Sequence, residues 1–129
     1  MGVSGVAIFS DDLAADLRED FREFIRDGLS SSQAMQRLMI EYAASLNDPE
    51  EMPVFWIALA LSQWKLGRLE ERTQQMALKI IDEGADIERW DDPKDRANRQ
   101  MVLDKTRIQL LSEPPAARPV LQNIKECNT

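Results

Sequence analysis

Carboxylates dominate the residues that could do chemistry. Asp11-Asp12 with Asp16 has the look of an aspartate-rich magnesium motif, because Asp12 and Asp16 stand four apart and share a helical face. Asp20 with Glu23 and Glu83 with Asp86 approximate the E-x-x-E and E-x-x-D pairs with which all-α pyrophosphohydrolases hold Mg²⁺. Gly84 interrupts the second pair and should end its helix, so those two carboxylates should not share a face. Histidine is absent, which removes every His-based triad, His metal ligand and His general base. Cys127 is the single cysteine and has no histidine to activate it; a lone thiol also suits a reducing compartment. Ser30-Ser31-Ser32 reads as capping and turn formation, not as a nucleophile. The scattered glycines make no phosphate-cradling loop. The residues therefore predict no enzyme, no cofactor and no metal.

The same carboxylates read better as a surface. With about 100° per residue around a helix, Leu13, Ala14, Leu17, Phe21, Phe24 and Ile25 fall in one apolar arc. Arg18, Arg22 and Arg26 fall in a second arc. Asp12, Asp16, Glu19, Asp20, Glu23 and Asp27 fall in a third. Residues 1–51 hold 11 acids and 4 bases, and residues 52–129 hold 12 of each, so the whole net charge of −7 lies in the first part. Such an edge repels nucleic-acid phosphates and steers cationic partners. Those six carboxylates are the expected partner-binding residues. Trp90, in a polar turn among acids, is added as an interface anchor.

The elements that must carry this strip are helical. A chain of 129 residues makes one domain, and no stretch keeps a period of two. Ser10 is the expected N-cap of a helix from Asp11 to Asp27, stopped by Gly28. Ser30 and Gln33 form a capping box for a second helix with Ala34, Met35, Leu38, Met39, Tyr42 and Leu46 inward, ending at Asn47-Asp48-Pro49. A third begins near Pro53, is apolar nearly all round and stops at Gly67, so it should be central. A fourth spans Leu69 to Glu83, with Met76, Ala77, Ile80 and Ile81 inward. Asp92-Pro93 opens a fifth that reaches Leu111. Its expected inward face is Ala97, Met101, Ile108 and Leu111, with Leu103 and Leu110 flanking. The prediction is all-α: a single compact bundle of about five antiparallel helices over 1–111, with a Pro-rich extension over 112–129. The longest apolar run, Val54 to Leu61, is far short of a membrane span of about 20 residues. With no basic leader at the N-terminus, a cytoplasmic location is expected.

GVAIFSDDLAADLREDFREFIRDGLS, then PVFWIALALSQWKLGRLEERTQQMALKIIDEGADIERW, then the helix ending QLLSEPP, resembles a bacterial domain of unknown function. That pattern opens G-x-x-G-x-x-x-F and continues through an Asp/Arg-rich helix to PVFW…QWK-x-GRL. Ser4 departs from it, where an aromatic is expected. The resemblance covers residues 2–115 and supplies no activity. The function expected from the charge map is a non-enzymatic interaction module. Its concrete form is an immunity or antitoxin-like protein that blocks a basic partner such as a nuclease toxin. The alternatives are an adaptor domain recognising a peptide or another domain, and a Mg²⁺-dependent phosphohydrolase.

Overall fold

A computed structural model describes residues 4–117 and residue 120. Six α-helices and no strands are present among the described residues. They are α1 (Asp12–Arg26), α2 (Ser31–Glu41), α3 (Ala43–Leu46), α4 (Met52–Lys65), α5 (Glu71–Glu83) and α6 (Pro93–Leu111). Val6 to Phe9 contributes to two 3₁₀ turns, Ser4–Val6 and Ile8–Ser10. The fold class is the expected helical bundle. The predicted second helix breaks at Tyr42, and its last turn becomes α3. Cys127 lies outside the described residues.

The architecture follows from α4. Every residue from Pro53 to Gln63 is buried. A helix apolar on all sides must be enclosed on all sides. Helix α1 packs on one flank of it and α5 on another, α2 lies against α1, and α6 leans on α5 and α4. Helix α1 turns Ala14, Leu17, Phe21 and Ile25 onto the core, with Leu13 and Phe24 half-buried at its edge. The buried faces of α2 and α5 are Ala34, Met35 and Leu38, and Thr73, Ala77, Ile80 and Ile81. The capping box is intact: Gln33 N–H donates to Ser30 Oγ at 3.1 Å and Ser30 N–H to Gln33 Oε1 at 2.9 Å. At α1 the cap is Asp11, not Ser10. Ser10 is held in the preceding 3₁₀ turn, and Asp11 accepts from Leu13 N–H at 2.8 Å.

Residues 112–117, the described start of the Pro-rich segment, fold back on the α4–α5 turn. Trp64 Nε1 donates to the Ser112 carbonyl at 3.3 Å, and Gln74 Nε2 to that of Leu110 at 2.7 Å. Gly67, at φ +67°, is needed twice over. A side chain disfavours that backbone region, and a Cβ there would collide with the Pro115 carbonyl oxygen.

Helix α6 overturns the expected orientation. Its buried residues are Arg99, Leu103, Thr106 and Leu110. The more apolar stripe looks outward instead, with Met101 58%, Ile108 68% and Leu111 54% exposed, and Ala97 exposed beside them. The reason is Arg99, which is 1% exposed and neutralised inside the protein.

Candidate docking face

Helix α1 holds its carboxylates outward because its opposite arc is core. Asp12, Asp16, Glu19, Glu23 and Asp27 are exposed, along about four turns of helix. Among the described residues none of the five forms a salt bridge. Of the arginine arc, Arg18 is directed elsewhere. The Arg18 guanidinium lies 4.3 Å from the centre of the Phe9 ring, which Lys65 also approaches at 5.6 Å. That cation–π contact draws Arg18 toward Phe9 and away from the acids.

Asp20 differs from the other five. It is half-buried, and the Tyr42 hydroxyl donates to its Oδ2 at 2.7 Å. The Tyr42 ring stacks at a tilt on Phe55 with centroids 6.0 Å apart, so this bond ties α1 to the core through the break between α2 and α3. Burial first, then the hydrogen bond to Asp20, pushes the Tyr42 phenol well above the usual tyrosine range. The nearby charges of Asp20, Asp16 and Glu41 add to that shift.

The two ends of the strip have different surroundings. At the C-terminal end Asp27 is on the rim of a groove of about 400 Å³, lined also by Leu29, Gln36, Arg37 and Ile40. Ile40 is 75% exposed there. At the other end Asp11 meets Arg89 at 3.4 Å. Arg89 also donates to Asp86 at 3.1 Å and lies 5.7 Å from the Trp90 ring centre. Trp90 therefore stands beside the start of the strip, but half-buried, and its ring also covers Arg99 at 5.2 Å. Its Nε1 is enclosed and meets no acceptor among the described residues.

The most buried ion pair among the described residues is one that sequence reasoning missed. Arg99 donates through Nε and Nη2 to Asp86 Oδ1 and Oδ2, at 2.8 and 2.7 Å. Its Nη1 reaches the Val6 carbonyl at 2.8 Å. Asp86 is fully buried. This fork ties the N-terminal turns, the Ile87–Arg89 3₁₀ turn and α6 together. Asp86 is thus committed to arginine, and the Glu83–Asp86 pair is not free to receive a cation. Among the described residues no group of three or more His, Cys, Asp or Glu side chains is placed to hold a metal. No helix among them is long and apolar enough to cross a membrane.

No protein family, curated protein or solved structure matches the chain. Its function must be argued from this geometry.

Proposed function

We propose that the chain is an interaction module whose α1 strip docks on a basic protein. The reading rests on one observation: five exposed carboxylates line one helix side without ion-pair partners of their own, among the described residues. Like charges at i,i+4 cost a helix a few tenths of a kcal/mol each. A cationic surface would remove that repulsion on contact and be drawn in from a distance. Asp12, Asp16, Glu19, Glu23 and Asp27 are the contact residues, and Asp20 positions the helix through Tyr42. Trp90 adds an apolar edge at the N-terminal end. In its most concrete form the partner is a nuclease-type toxin whose Lys and Arg residues are covered, as an immunity protein covers them. An adaptor role is supported by a different feature, the outward apolar stripe of α6.

The test uses the wild-type protein and an Asp12→Lys/Asp16→Lys/Glu19→Lys/Glu23→Lys variant as baits in a lysate of the native host. A partner retained only by the wild type is purified and titrated at about 50 and 500 mM salt. Affinity that falls steeply with salt and is lost in the variant supports the strip. Binding that ignores both changes would sink the proposal.

A further inference from the structure

Four charged side chains close into one cluster at the start of α1. Arg89 Nη2 donates to Asp11 Oδ2 at 3.4 Å, and its Nη1 to Asp86 Oδ2 at 3.1 Å. Arg99 Nη2 donates to that same Asp86 oxygen at 2.7 Å, and its Nε to Oδ1 at 2.8 Å. The other Asp11 oxygen caps α1 by accepting from Leu13 N–H at 2.8 Å. A continuous line of hydrogen bonds therefore runs from the first turn of the acidic helix to the buried face of α6. The Trp90 ring lies against both guanidinium groups, 5.7 Å from Arg89 and 5.2 Å from Arg99.

We propose that Arg89 is a relay, through which the charge on Asp11 sets how firmly Arg99 holds α6. The cluster balances, with two carboxylates against two guanidinium groups. Arg89 and Arg99 meet on one Asp86 oxygen and repel each other across it. Asp11 offsets this by drawing Arg89 outward. With the Asp11 charge gone, two cations are left competing for a single carboxylate. Charges buried to this degree are little screened by salt or solvent. The members also differ in freedom. Asp86 and Arg99 are buried, whereas Asp11 and Arg89 are half-buried. Arg89 borders a groove of about 300 Å³ that Glu50 and Glu88 also line, so it has room to move. Neither of those carboxylates forms an ion pair with it among the described residues.

The consequence for function rests on the docking proposal. A basic partner seated over Asp11 and Asp12 would draw on the charge that holds Arg89, and the contact would be felt at α6. By linkage, the seating of α6 would change the partner's affinity by the same factor. The coupling itself belongs to the free chain and is tested without a partner. Its failure would leave the docking reading standing, and the failure of docking would leave the coupling.

The readout is solvent exchange of the Arg99 Nε–H proton in the full chain, followed by nitrogen-edited NMR and assigned through bonds to its own side chain. Asp11→Asn keeps a good helix cap while removing the charge. It should quicken that exchange about threefold or more. Asp12→Asn, at an exposed neighbour with no ion pair among the described residues, should leave it unchanged. In an Arg89→Met chain, adding Asp11→Asn should change nothing further. Unaltered exchange in Asp11→Asn, equal quickening in Asp12→Asn, or an effect of Asp11→Asn that persists without Arg89 overturns the proposal. So does slower exchange in Asp11→Asn, which would mean that Arg89 had gone over to Glu50 or Glu88 and left Asp86 to Arg99.

Discussion

Asp16 and Asp86 are the same side chain in opposite surroundings. Asp16 projects from α1 into water without an ion partner among the described residues. Asp86 is fully buried and takes two hydrogen bonds from Arg99 and one from Arg89. Desolvating a carboxylate is so costly that it occurs only with a matched cation. A buried charge is therefore committed to the fold, and an exposed, unmatched one is available for contact. The two regions separate what holds the molecule together from what it can offer a partner.

The most damaging way to break the comparison is to turn the buried region into an unmatched one. Arg99→Met keeps the stem's packing but strands Asp86, with only Arg89 left to bond it. Chemical denaturation should show a loss of about 3 kcal/mol. The Asp86→Leu/Arg99→Met chain, which removes both charges, should recover most of that loss. A double variant as unstable as the single one would mean that the ion pair is not what orients α6. Next in size is Gly67→Ala. Its Cβ would collide with the backbone at Pro115 in a conformation that disfavours side chains. A loss of about 1–3 kcal/mol is expected, together with displacement of the segment after Leu111 and changed fluorescence from Trp64, which bonds the Ser112 carbonyl.

The bundle was legible because its signals are local. The glycines at 28, 67 and 84, the Ser30–Gln33 box, Asp92-Pro93 and the all-round apolarity of α4 each act within a few residues of sequence. The acid strip was legible for the same reason, since helical spacing alone sorts α1 into arcs. The face of α6 was not. Two stripes with the same spacing compete there, one carrying Met101, Ile108 and Leu111 and the other Arg99, Leu103, Thr106 and Leu110. Hydrophobicity favours burying the first. The outcome is set by Asp86, thirteen residues upstream of Arg99, whose carboxylate makes burying a guanidinium acceptable. A pairing of that kind cannot be seen from the periodicity of one helix. The commitment of Asp20 to Tyr42 was hidden likewise, because it crosses from one helix to another.

Tyr42 is the point where the exposed strip borders the interior, and it gives a moderate effect. Tyr42→Phe should cost about 1 kcal/mol, seen as a lower denaturation midpoint. Its folded phenol holds its proton more tightly than an unfolded one. The stabilisation is therefore full below about pH 10, the unfolded value, and is lost as pH rises above it. The chain has one tyrosine, so ultraviolet absorbance follows this phenolate alone. Phenolate should form only above the usual tyrosine range, and Asp20→Asn should bring its formation to lower pH. An ordinary titration curve in the folded protein would mean that Tyr42 is not held by Asp20.

The smallest effect sharpens the comparison most, because it carries the opposite sign. Glu23 has a carboxylate four residues away on each side, Glu19 and Asp27, and all three are exposed. Two like-charge pairs therefore meet at one residue, each unfavourable by a few tenths of a kcal/mol. Glu23→Gln removes both and should raise stability by about 0.5 kcal/mol at low salt. At about 1 M salt the Debye length falls to about 3 Å, and the gain should vanish. Neutralising Asp86 should do the reverse, since it would leave Arg99 buried without its partner. A stability gain at Glu23 that disappears with salt is the signature of charge kept at the surface against the fold's own preference. A loss there would mean that Glu23 serves the folded structure, and the division between committed and available carboxylates would not hold along α1.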